Sequence, residues 1–137
     1  MSETLSAKPH KRLLAWQRSM ALFVEIHRLT ARMPSSERYL VDQLRRAALS
    51  APSNIAEGAA DPSPDQFRSF LCYAIRSLNE VDTQLEAACR TGLVDKVDAA
   101  RLAELLDECL RLTFGLRRSV VSKKRESLAL ASRHPSA

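Results

Sequence analysis

Five polar residues of one short segment, Gln43, Arg46, Ser50, Asn54 and Glu57, fall at offsets of 0, 3, 7, 11 and 14. On a helix that spacing sets an amide, a cation, a hydroxyl, a second amide and a carboxylate along one ridge. A solvated face produces such a ridge too. This one borders an apolar stripe (Leu40, Leu44, Ala47, Ala51, Ile55), and Ala47, Ala48, Ser50, Ala51 and Ser53 crowd its middle. Side chains that small let another backbone come close, so the ridge is expected against a neighbouring helix. A second grouping is electrostatic. "RLTFGLRRSVVSKKR" places Arg111, Arg117, Arg118, Lys123, Lys124 and Arg125 within about four helical turns. Such a run can bind a polyanion, or it can be a solvated helix end whose cations favour the C-terminal dipole.

Other chemistry lacks its parts. A di-iron bundle needs Glu-x-x-His pairs facing inward, and none of His10, His27 and His134 follows a Glu by three. His27 lies on an apolar stripe and is expected half-buried. Cys72, Cys89 and Cys109 are widely spaced, without zinc-ligand intervals. Neither a Ser-His or Cys-His pair nor a Gly-rich phosphate loop can be assembled. Glu57 with Asp61 or Asp65 could coordinate Mg²⁺, but carboxylates at a helix junction are more often caps. Trp16, Tyr39 and Tyr73 are too dispersed in sequence for a base-stacking platform. The expectation is a protein that is not an enzyme, with no catalytic residues, no metal and no cofactor.

The elements that carry these residues are helical. "MPSSE" at 33–37, "DPSPD" at 61–65 and "TGLVD" at 91–95 are stop-and-cap segments, with Ser35 or Ser36, Ser63 and Asp95 as N-cap candidates. They divide the chain into four amphipathic stretches. The first, about Leu13 to Met33, has two apolar stripes: Leu13, Trp16, Met20, Phe23, Val24 and His27, then Leu22, Ile26, Leu29 and Met33. That arc is wider than one contact needs and suggests burial on two sides, the second against another subunit. Phe67, Phe70, Leu71, Ala74, Leu78, Val81, Leu85 and Ala88 line the third stretch. Leu102, Leu105, Leu106, Cys109, Thr113, Leu116 and Val120 line the fourth. Short connections make this an all-α, antiparallel up-and-down four-helix bundle. Its expected bounds are 11–126, between a disordered N-terminal tail (1–10) and a flexible C-terminal tail (127–137).

Pro52 interrupts the second stretch. It removes a backbone donor and leaves the Ala48 carbonyl short of its partner. Either the helix continues with a kink, its freed groups met by local Ser and Asn side chains, or it ends near Leu49 and restarts. Gly58 is then a flexible exit.

The chain has 137 residues, 45% hydrophobic and 27% charged, with a net charge of +5. This is enough for one core without disulfides. No apolar run approaches a membrane span, and no apolar signal core is present. Three unpaired cysteines indicate a cytoplasmic protein. Residues 1–35 carry six basic and two acidic side chains, and 93–137 carry nine and six, so the surplus lies toward the two chain ends.

"LLAWQRSMALFVEIHRLT", "QLRRAALSAPSNIAEG" and "FRSFLCYAIRSLNEVDTQLEAA" resemble the signature blocks of a four-helix-bundle family. It includes proteins encoded by intervening sequences in large-subunit ribosomal RNA genes, and accessory variability determinants of diversity-generating retroelements. The resemblance spans roughly Leu13 to Arg125. It marks Gln43, Arg46, Ser50, Pro52, Asn54, Glu57 and Gly58 as the family motif, structural or interfacial. It implies a homo-oligomer, a homopentameric ring with a basic surface, and for the retroelement members a nucleic-acid ligand and a reverse transcriptase partner. The chain departs after "NIAEG": Asp61, Pro62 and Pro64 stand where the family favours basic residues, which weakens a polyanion contact there.

Two functions follow as expectations. One is an oligomeric accessory protein that binds RNA or DNA backbone, independent of sequence, through Arg45, Arg46, Arg117, Arg118, Lys123 and Lys124. The alternative is a protein–protein scaffold that binds no nucleic acid.

Overall fold

In a computed structural model, residues 8–133 are described, apart from the side chains of residues 121–124 and 133. A 3-10 turn, Pro9–Arg12, leads into α1 (Leu14–Thr30). A second turn, Ser35–Glu37, leads into α2 (Arg38–Ala60), followed by α3 (Pro64–Arg90) and α4 (Lys96–Arg133). No strand occurs among the described residues. Contacts run α1–α2, α2–α3, α3–α4 and α4–α1, so α2 and α4 form one diagonal of a four-cornered antiparallel bundle. The α2–α3 pairing is the most extensive.

Apolar spacing dictates what each helix hides. Leu22 and Ile26 of α1, Leu44 and Ala48 of α2, Leu78 and Val81 of α3, and Leu102 and Leu106 of α4 make one cluster. Ala15, Ile55, Leu71, Ala74 and Val120 make a second, at the end of the bundle where α1 begins. Each fully buried Leu or Ile contributes about 1.5–3 kcal/mol. Of the two stripes on α1, the one through Leu22 and Ile26 is the core. Trp16, Met20 and Phe23 of the other are half-buried, and Val24 is exposed. His27 is exposed as well, correcting the expectation of a half-buried residue: one position past Ile26, it is turned about 100° off the core axis.

Capping explains the boundaries. Ser63 accepts from the Gln66 amide at 3.4 Å, and Asp95 from the Asp98 amide at 2.8 Å. Ser35 and Ser36 cap nothing, because they belong to the 3-10 turn and α2 begins one turn later. Leu93 N donates to the Ala88 carbonyl and Gly92 N to that of Cys89. With Gly92 at φ 77°, this is a Schellman ending for α3.

The described parts of both expected tails are more regular than their composition suggested. Lys8–Arg12 is pinned by Leu13 N to the His10 carbonyl at 3.0 Å and by Gln17 Nε2 to the Lys11 carbonyl at 2.7 Å. The helical backbone of α4 continues to Arg133, past residue 126, since each added Ala, Leu, Ser or Glu extends the ladder by one bond. Residues 1–7 and 134–137 of the expected tails, with His134, lie outside the described set.

Candidate nucleic-acid interface

The polar ridge of α2 has a buried middle and wet ends. Gln43, Arg46 and Glu57 are exposed, while Ser50 and Asn54 are half-buried. Asn54 Nδ2 donates to the Ser50 carbonyl at 2.8 Å and to Ser50 Oγ at 3.0 Å. Ser77 Oγ of α3 lies 2.9 Å from Ser50 Oγ and 3.1 Å from the Tyr73 carbonyl. These bonds join α2 to α3. The helix continues through Pro52, which is buried, so the restart near Leu49 does not occur. The side-chain donor that was expected is Asn54, and it reaches the Ser50 carbonyl, two residues past that of Ala48.

Gly58 is not an exit. It lies inside α2, buried, and a Cβ there would stand 2.8 Å from both Phe67 Cδ1 and Phe70 Cβ. Only a residue without a side chain lets α3 approach so closely. The altered loop beyond it is capping chemistry. Asp61 Oδ1 accepts from the Ser63 amide at 2.8 Å, Ser63 caps α3, and Pro64 sits in the first turn. Among the described residues, no group of three or more His, Cys, Asp or Glu side chains could hold a metal ion.

The cations named from the sequence are not on one surface. Arg45 is half-buried on α2 and bound to α1, through Nε to Thr30 Oγ1 at 2.8 Å and Nη2 to the His27 carbonyl at 3.3 Å. Arg46 is exposed beside it. Arg117 and Arg118 stand on α4, diagonally across the bundle. Arg118 is exposed and Arg117 half-buried, its Nη1 3.7 Å from Cys72 Sγ and its guanidinium 4.9 Å from the centre of the Phe114 ring. The side chains of Lys123 and Lys124 lie outside the described set.

A different grouping emerges from the topology. Ala15 and Val120 share one core cluster, with Leu13 and Leu116 packed on it. The basic N-terminal turn (Lys8, Lys11, Arg12) and the basic part of α4 therefore lie at the same end of the bundle. Residues 111–125 carry six basic side chains and no acidic one, while residues 91–108 carry five acidic against two basic. Ion pairs occupy the acidic half: Glu108 with Arg18 at 3.0 Å, Arg101 with Glu25 at 2.7 Å, and Asp98 with Arg32 at 3.7 Å. Lys8, Lys11 and Arg12 were missed by a reading confined to separate runs, which had named Arg111 and Arg125 in the α4 run. The charge surplus at both chain ends was visible, and antiparallel closure was the step that joins them.

Electrostatics at this end agree with the geometry. His10 rests edge-on against Trp16, ring centres 4.9 Å apart. Partial burial, then the charges of Lys11 and Lys8, hold its imidazole below the ordinary histidine range. Cys109, enclosed between α1 and α4, is pushed up to about 11 by burial, with the Ser19 hydroxyl pulling the other way.

No match to a curated protein was found. The family model described as 23S rRNA-intervening sequence protein matches residues 11–115, which covers the first three helices and the first half of α4 and ends before Arg117. That match, over more than half of a chain folded as this bundle, assigns it: the chain belongs to the 23S rRNA-intervening sequence protein family.

Proposed function

We propose that this protein is a non-enzymatic binder of nucleic-acid backbone, acting through the basic end of its bundle. The carrying observation is that Lys8, Lys11 and Arg12 lie at the same end of the bundle as Arg117 and Arg118, the end held by the Ala15–Val120 cluster, with the N-terminal turn packed on α1 and α2. A family described by a ribosomal RNA intervening sequence supports RNA as the natural ligand. The mechanism is charge neutralisation with counterion release, indifferent to base sequence and steep in salt. Arg46, at the corner diagonally opposite α4, contributes weakly, and Arg45 is a structural residue.

The half-buried Trp16, Met20 and Phe23, with exposed Val24, leave α1 an apolar outer surface. A second copy of the chain covers it in a homo-oligomer, so that the basic end is repeated and gains avidity. Anisotropy titration of a labelled RNA at about 50 and 200 mM salt tests the binding. Affinity falls steeply between the two, and R117A/R118A lowers the salt slope by roughly 1–2. A salt-independent affinity, or an unchanged slope in the variant, rejects the reading.

A further inference from the structure

Two arginine–aromatic pairs stand at one level of the basic half, around α3. On α4, the Arg117 guanidinium covers the Phe114 ring at 4.9 Å and reaches Cys72 of α3. One position past Cys72, Tyr73 points about 100° further around α3. Tyr73 is 47% exposed, carries the Arg76 guanidinium 5.7 Å from its ring centre, and is braced edge-on by Phe70 at 6.2 Å. The two pairs are thus separated by about one helix diameter, roughly 10 Å.

Beside the first pair, Leu110, Arg111, Phe114 and Arg118 line a surface groove of about 490 Å³, with Asp107 at its acidic rim. Gly115 leaves the helix surface bare there: a Cβ on it would meet nothing nearer than Arg118 Nη2, at 3.8 Å. Flat apolar faces are thereby set beside guanidinium groups; around Phe114 the chain carries no carboxylate from Arg111 to Arg125, while on α3 Glu80 lies along the groove that Arg76 borders. Phosphate attraction alone does not use an aromatic face. Unpaired bases do, because each has a π-face that stacks on aromatic rings or guanidinium planes, whereas a duplex keeps those faces covered.

We infer that this surface binds single-stranded nucleic acid, with bases stacked on Phe114–Arg117 and Tyr73–Arg76 and phosphates held by Arg111 and Arg118. The inference rests on the backbone-binding reading above and adds the form of the ligand. Tyr73 belongs to the aromatic set dismissed from sequence spacing. Phe114, far along the chain, supplies the second platform once α3 and α4 pack.

The test uses the full chain at low salt with three probes: labelled oligouridine, the same strand annealed to oligoadenine, and inorganic polyphosphate as competitor. Single strand binds more tightly than duplex. Y73L and F114L each weaken oligouridine about tenfold and leave duplex affinity and polyphosphate competition unchanged, and Y73F restores oligouridine. Tyr73 is exposed enough for its variants to fold, which circular dichroism verifies, so the result does not depend on the half-buried Phe114. Equal affinity for single strand and duplex, with Y73L neutral, overturns this inference and leaves backbone binding standing. Failure of all three probes to bind overturns both.

Discussion

Arg45 of α2 donates to Thr30 Oγ1 of α1 at 2.8 Å, and the same hydroxyl donates to the Ile26 carbonyl at 2.7 Å. The chain of bonds closes the last turn of α1, where carbonyls lack intrahelical partners. A cation at that position also suits the helix dipole. R45A therefore lowers stability, by about 1 kcal/mol for a half-exposed charged hydrogen bond, and leaves nucleic-acid affinity within twofold. Urea unfolding and the anisotropy titration measure the two effects on one sample. A large loss of affinity without loss of stability would return Arg45 to the interface.

Gly58 is the second structural member of the motif. G58A gains roughly 1 kcal/mol of helix propensity, against overpacking of about 1–3 kcal/mol. The new methyl would meet Phe67 Cδ1 and Phe70 Cβ at 2.8 Å. The Phe67 ring can swing, but the Phe70 Cβ is one bond from the backbone, so α3 itself must shift. A net destabilisation of about 1 kcal/mol is expected, read as a lower urea midpoint with an unchanged m-value. A more stable variant would mean the α2–α3 spacing is looser than the geometry states.

The contrast between these residues explains what the sequence disclosed. Leu44, Ala47, Ala51 and Ile55, like Leu71, Ala74, Leu78 and Val81, repeat at helical intervals; that periodicity yields the helices and the core, and the short connections between them yield the antiparallel order. Ser50 and Asn54 were legible as a seam because small and polar residues alternate beside that stripe. Gly58 was not, since its purpose depends on the register of Phe70, which no local pattern encodes. His27 fell on the wrong one of two adjacent stripes. The basic end escaped notice for a topological reason: Lys11 and Arg117 are more than a hundred residues apart in the chain, and only closure of the bundle brings their segments to the same end.

Cys109 offers a pH test of the core. Its thiol is fully buried, and its pKa is raised from 9.0 to about 11, chiefly by desolvation. The unfolded chain releases this proton near 9 while the folded chain keeps it, so the contribution is complete below 9 and lost as pH rises toward 11. The loss is about 2–3 kcal/mol, and C109A removes the dependence in that window. At pH 8, native Cys109 resists an aromatic disulfide reagent that labels it in urea. Rapid native labelling, located by mass spectrometry, would show that α1 and α4 open there.

His10 reports the occupancy of the basic end. In the free protein, burial together with Lys11 and Lys8 disfavours its protonated form. The folded pKa thus lies below the unfolded value, and this residue withdraws stability as pH falls from about 6.5 through the folded pKa. A bound polyanion reverses the local field: phosphates beside Lys8 and Lys11 favour a protonated imidazole. By linkage, affinity for RNA must then rise as pH falls through the same window. NMR titration of the His10 ring with and without bound oligouridine gives the sign directly, and an upward shift on binding is expected. H10Q removes that share of the pH-dependent affinity, which separates it from the exposed His27 and from His134. Binding that leaves the His10 titration unmoved would place the nucleic acid on another part of the bundle, away from the end that carries Lys8 and Lys11.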